Sequence, residues 1–167
     1  AAFEAYAKSN AKDREAVAFY YNAAVIRDGM NSYALATTDY QAYMDSSKAG
    51  DRKEVLFLIA KMWERRGNPS KALEFYQKYY DTNPNNASAL VETTFAIADI
   101  YFKRKNTKEA DKWYARTISV QKRVSTKDTP VGVAVAAESK FRQVYRAYEE
   151  LRGIHMPANP AKQGKAV

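Results

Sequence analysis

The sequence predicts an all-α protein built from antiparallel helix pairs, and three observations carry that prediction. Glycine and proline are scarce, at 6 and 5 in 167 residues. Alternating apolar and polar residues, the mark of half-buried strands, are nearly absent, whereas apolar spacings of three and four recur along the chain. One stretch, Lys53 to Asn86, carries two amphipathic helices in succession. Leu56, Ile59, Ala60 and Trp63 mark the first, and Ala72, Tyr76 and Tyr79 the second. Arg66-Gly67-Asn68-Pro69 breaks between them and Pro84 closes the unit.

Taken in order, Ala2 to Lys8 reads as a short helix with Phe3 and Tyr6, the back half of a hairpin. The next helix starts near Asp13, a good N-cap with Glu15 in the first turn. Val17, Tyr20, Tyr21, Ala24 and Val25 form its apolar face, and Gly29 is expected to end it as a left-handed cap. Asn31 or Ser32 can cap the following helix, which runs through Tyr33, Ala36, Tyr40, Tyr43 and Met44 to about Ser46. The register of this hairpin stays open, since Gly29 favours Ala34 as the small packing residue and Tyr40 favours Ala36. After the break at Lys48-Ala49-Gly50, the best unit runs from Arg52 to Arg66 and from Pro69 to about Thr82. Proline then stops it, because it cannot continue the helical hydrogen bonds.

A further pair starts at Ala87 or Ser88, with Thr94, Ile97, Ala98 and Tyr101 on the front helix and Ala110 and Tyr114 on the back one. Lys105-Asn106-Thr107 replaces the glycine turn, with Asn106 expected to be left-handed and Thr107 to cap. The back helix continues to Arg123, Ser125 to Gly132 reads as a loop, and a last helix spans about Val133 to Arg152. Phe141, Val144, Tyr145, Tyr148 and Leu151 give that helix an apolar face. It reads as the front helix of one more pair, or as a cap on the last open face. Residues 157–167, with Pro157, Pro160 and Gly164, read as a tail or linker after a helical domain of residues 1–156.

The pattern Leu56-x2-Ile59-Ala60-x2-Trp63, then Ala72-x3-Tyr76, then Pro84, resembles the signature of a tetratricopeptide repeat. Thr94, Ile97, Ala98, Tyr101, Ala110 and Tyr114 repeat it. Ala72 to Ala110 is 38 residues against a usual period of about 34. The resemblance implies a right-handed α-solenoid with repeats at about 13–47 (degenerate), 53–86 and 87–123 and a terminal helix at about 133–152. Opening at Ala-Ala-Phe without an initiator methionine, the chain reads as a fragment of a longer bacterial repeat protein. The run from Tyr148 to Val167 resembles junctions in long repeat proteins of the cell envelope and motility apparatus.

Composition narrows the function. There are no cysteines and a single histidine, His155, in a Gly-x-His-x-Pro turn, so neither a thiolate metal site nor a histidine cluster can form. No glycine-rich phosphate loop occurs, and Glu149-Glu150 reads as solvated helical charge. No enzyme activity, metal or cofactor is expected. No run of about eighteen apolar residues could span a bilayer, and nothing distinguishes a cytoplasmic from a periplasmic location or sets the oligomeric state. The net charge of +8 is graded: residues 1–50 hold 5 basic and 6 acidic groups, residues 51–110 hold 11 and 8, and residues 111–167 hold 11 and 5. That gradient favours an acidic partner toward the C-terminal end. Lys103-Arg104-Lys105 and Lys122-Arg123 leave an RNA-binding repeat as an alternative. Both clusters, however, sit at helix C-termini, where cations complement the helix dipole.

The resemblance further implies that the front helices line a concave groove for a peptide or partner protein. Its lining would be Phe57, Lys61, Glu64 and Arg65 from one repeat, Phe95, Asp99, Phe102 and Lys103 from the next, and Arg142 and Arg146 from the last helix. Phe57 with Lys61, and Phe95 with Asp99, depart from the lysine and asparagine pattern of carboxylate-clamping repeats. Exposed aromatics would make a binding groove within a larger assembly, whereas buried ones would make a structural spacer without its own ligand.

Overall fold

The computed structural model describes residues 2–10, 13–46, 50–82, 87–123 and 130–153. Among them are eight helices and no strand: α1 (Ala2–Ser9), α2 (Arg14–Gly29), α3 (Tyr33–Asp45), α4 (Arg52–Arg65), α5 (Pro69–Asp81), α6 (Ala87–Lys103), α7 (Thr107–Arg123) and α8 (Pro130–Gly153). Each helix packs on its sequence neighbour, the tightest partners being α2 with α3, α4 with α5 and α6 with α7. The chain is therefore a stack of helical hairpins, an all-α solenoid of tetratricopeptide-like type. Asn83 to Asn86, Ser125 to Asp128, His155 and the tail at 157–167 lie outside the described residues.

The three hairpins share one core grammar. Ala36, Ala72 and Ala110 are fully or almost fully buried on the back helices, as are Tyr40, Tyr76 and Tyr114 four residues later. Facing them on the front helices are buried Ala24, Ala60 and Ala98. This settles the register of the first hairpin on Ala36; Ala34 is exposed. Each back-helix tyrosine meets a ring of its front helix: Tyr21 to Tyr40 at 5.6 Å, Phe57 to Tyr76 at 6.1 Å and Phe95 to Tyr114 at 6.0 Å between centroids. Such pairs add about 0.5–1.5 kcal/mol each beyond area burial.

The first hairpin departs from its neighbours at one place. Where the others carry Trp63 with Phe75 and Tyr101 with Trp113, it carries Arg27 with Asp39. The Arg27 guanidinium donates to both Asp39 oxygens, at 2.6 and 2.5 Å, and Asp39 is buried. An ion pair thus fills a position that rings fill elsewhere, which is why the repeat pattern fades in this segment.

Three inter-helix turns close in the same way. Ser32 N–H donates to Arg27 O at 2.8 Å, Asn68 N–H to Trp63 O at 3.0 Å and Asn106 N–H to Tyr101 O at 3.0 Å. The residue before each donor is left-handed: Asn31 at φ 60°, Gly67 at φ 73° and Lys105 at φ 59°. These are Schellman closures that satisfy the last carbonyls of the front helices. The expectation that Gly29 and Asn106 would be left-handed is corrected. Gly29 is the last helical residue of α2, and Asn31, whose side chain tolerates positive φ, takes the turn. Asn106 instead caps α7, accepting from Glu109 N–H at 3.3 Å, as Asn68 caps α5 by accepting from Lys71 N–H at 3.1 Å. A capping residue cannot be left-handed at the same time, so Lys105 bears the positive φ.

The last helix starts one turn earlier than expected. Pro130 suits the first helical position, and Gly132 is buried inside the helix rather than in a loop. The side turned to the rest of the protein carries small residues, Gly132, Ala136 and Ser139. The apolar face at Phe141, Val144, Tyr145, Tyr148 and Leu151 points outward. Among the described residues no element covers these side chains.

Two glycine substitutions should shift stability in opposite directions. Gly67→Ala should destabilise by about 1 kcal/mol, the cost of a side chain at positive φ, since a Cβ there meets nothing within 4 Å. Gly29→Ala, equally open but helical, should stabilise by about 0.5 kcal/mol. Urea midpoints would show both. A second test is alkaline. Burial pushes the Tyr40 and Tyr79 hydroxyls up to about 12 and raises those of Tyr76 and Tyr114 as well. Raised folded-state values mean that this stability is complete below pH of about 10 and is lost as pH rises through about 12. Absorbance at 295 nm should therefore show these rings ionising together with loss of helical circular dichroism, after the exposed tyrosines have titrated.

Candidate functional site

With the register settled, the candidate face can be read position by position. Phe57 corresponds to Tyr21 at 36 residues before it and to Phe95 at 38 after it. The three rings form a column along the front helices, each half-buried because its inner side lies on the tyrosine of its own back helix. Phe57 also meets Tyr79 at 5.4 Å. Phe102 is different: it is 43% exposed. Phe57 and Phe95 are thus half-buried and Phe102 is exposed.

The charged residues singled out in the sequence are brought together, and each has a partner within the chain. Lys61 Nζ stands 3.6 Å from Glu92 and 6.0 Å from the centre of the Phe57 ring. Glu64 accepts the Tyr76 hydroxyl at 2.6 Å. Arg65 pairs with Asp28 at 2.5 Å. Asp99 receives Lys103 at 2.7 Å and Arg142 at 2.8 Å. Arg142 also donates to Glu138 at 2.7 Å and to the Tyr114 hydroxyl at 3.1 Å. Its guanidinium lies 5.7 Å from the centre of Phe95 and 5.3 Å from that of Phe102. Arg146 pairs with Asp111 and donates to Thr107 O at 3.3 Å.

Two consequences follow for the chemistry of this face. Arg142 and Arg146 tie α8 to α6 and α7, so their first role is to hold the last helix in place. The face is also close to charge balance, since each basic group named above sits beside a carboxylate. What remains open on this face is the Phe102 ring, the outer sides of Phe57 and Phe95, and the exposed charged side chains of Arg65 and Lys103. At the Tyr21 end the column opens into a cavity of about 400 Å³ lined by Ala18, Tyr21, Tyr43, Asp51, Glu54, Val55 and Leu58. Sequence reasoning put Tyr21 on the apolar face of α2 and not in the groove, although its offset from Phe57 identifies it once Ala36 is known to match Ala72.

Among the described residues no cluster of histidine, cysteine and carboxylate side chains could hold a metal ion. None of their helices is long and apolar enough to cross a membrane.

No family model matches the chain. Among curated proteins it is similar to the photosystem I assembly protein Ycf3 of Synechococcus sp. (strain CC9311), at 33% identity over 124 residues. The match covers 66% of this chain and 66% of that protein, so the chain spans just under two thirds of its relative's length. The hairpin stack, the repeated alanine and tyrosine positions and the shared turn geometry give this chain an all-α, tetratricopeptide-like fold.

Proposed function

We propose that the chain is a non-enzymatic protein-interaction scaffold that holds a partner segment against its front-helix face. The observation that carries this reading is the ring column Tyr21, Phe57 and Phe95 at equivalent places on successive front helices, with exposed Phe102 two turns along α6 from Phe95. Rings fixed from behind by a second aromatic lose little freedom on binding, and aromatic anchors of this kind dominate interface energetics. The spacing suits an extended or helical segment that lays apolar side chains at successive repeats. That a relative is named a photosystem I assembly protein supports the same class of role. The balanced charge of the face gives the partner an apolar, not a strongly acidic, character at the column. Its edges, lined by Lys61, Arg65 and Arg142 with their carboxylates, would set orientation.

The test is retention of partners from a lysate of the source cells by the wild-type chain and by a variant carrying Phe57→Ala and Phe102→Ala. Losing one anchor ring costs about 2 kcal/mol, or roughly thirtyfold in affinity, so proteins held through this face should drop out. Thermal unfolding would establish that the variant remains folded. An unchanged partner set would leave the face as a spacer surface.

A further inference from the structure

The edge where the first two hairpins meet holds a cavity of about 360 Å³, lined by the α2–α3 turn from Asn31 to Leu35 and by Trp63 and Arg66. None of these residues carries a carboxylate. Ser32 stands where Asn68 and Asn106 stand at the other two turns, and there each asparagine side chain accepts an N–H of the helix that it opens. The Ser32 side chain accepts none, and the Asn31 side chain is taken by the Tyr33 hydroxyl. The N–H groups of Tyr33, Ala34 and Leu35 therefore have no acceptor among the described residues. A helix start left this way carries about half a positive charge.

Two further donors belong to the same cavity. Trp63 is only 6% exposed, yet its Nε1–H finds no acceptor, whereas a buried indole N–H ordinarily has one. The Arg66 guanidinium is exposed, lies 5.3 Å from the centre of the Tyr33 ring and makes no ion pair among the described residues. Tyr33 in turn meets Trp63 at 6.4 Å, which draws the helix start, the indole and the guanidinium around one volume. Lys71 adds a second cation without an ion pair, 4.1 Å from the centre of the Trp63 ring. On the front-helix face each named basic group sits beside a carboxylate, and at this edge neither does.

We propose that this cavity is an oxyanion site, taking a carboxylate or phosphate group whose apolar body lies against Tyr33, Leu35 and Trp63. Free N–H groups at a helix start together with an arginine fork are the donors that such groups require. A cationic ligand would meet the positive end of α3 and two cations. A wholly apolar one would bury the α3 N–H groups with their hydrogen bonds unmade, which costs more than it gains. Leu35 is 53% exposed, and with the two rings it supplies an apolar wall beside the donors. The site shares no residue with the ring column and lies beyond the scaffold reading.

Nuclear magnetic resonance of the nitrogen-15-labelled chain tests this directly, because the sequence holds two tryptophans and Trp113 serves as the internal control. Inorganic phosphate, acetate, phenyl phosphate and benzoate would each be titrated at fixed ionic strength. The Trp63 indole N–H and the amides of Tyr33 to Leu35 should shift and saturate, while the Trp113 indole stays in place. Each aromatic probe should saturate several-fold earlier than its parent anion, and the tighter of the two pairs identifies the group as phosphate or carboxylate. Arg66→Gln should weaken binding about tenfold, the usual cost of losing a hydrogen bond to a charged group. Ser32→Asp, which offers its own carboxylate to the α3 N–H groups, should abolish binding with helical circular dichroism retained. Arg116→Gln, which removes the cation 4.4 Å from the Trp113 ring, should change nothing. Shifts that never saturate, that are equal at Trp113, or that persist unweakened in Arg66→Gln and Ser32→Asp would overturn the proposal. None of these outcomes bears on partner retention through Phe57 and Phe102, so the two readings stand or fall separately.

Discussion

Close approach of the two helices within each hairpin is the constraint on which the remainder depends. Alanine on both sides, at 24 and 36, 60 and 72, 98 and 110, leaves no side chain to hold the backbones apart, and all six are buried. Once the helices are this near, a tyrosine one turn along the back helix reaches across to a ring on the front helix. A larger residue at any of these alanines would separate the helices and withdraw that ring's support. The candidate face is thus a by-product of hairpin closure: its rings are half-buried because the tyrosines behind them are there.

The fold was largely legible because this constraint leaves a strong trace. Alanine and tyrosine four residues apart, after a turn, are visible in the bare sequence at Ala72 and Tyr76 and again at Ala110 and Tyr114. The first hairpin was harder to read for a physical reason. Its Arg27–Asp39 pair stands where rings stand elsewhere, so composition at that position hides an equivalence that geometry restores. The turns misled in a similar way. Glycine is the residue best suited to positive φ, yet Asn31 and Lys105 adopt it because the neighbouring residues are committed to ending one helix and capping the next.

The candidate face was legible in part. Front-helix periodicity located Phe57, Phe95 and Phe102, but it could not show that Arg142 and Asp99 would meet across 43 residues or that Lys61 would face Glu92. Charge pairing between helices depends on how the hairpins stack, and no local spacing encodes it. The same limit applies to α8. Its apolar residues were evident from periodicity, whereas the direction in which they point follows from Gly132, Ala136 and Ser139 taking the inner side.

The contacts from one front helix to the next have a mechanical meaning. Asp28 with Arg65, Lys61 with Glu92, and Asp99 with Arg142 form a chain of single ion pairs along the face, on side chains that keep contact with water. Exposed pairs contribute up to about 1 kcal/mol each and are screened over roughly 8 Å at physiological ionic strength. The hairpins behind them are locked by buried alanines and rings. The ion pairs thus edge hairpins that are already joined by one continuous apolar core, with Tyr33 on Trp63 and Tyr80 on Trp113 crossing between them. Raising the salt concentration should therefore loosen this edge while the stack behind it stays intact.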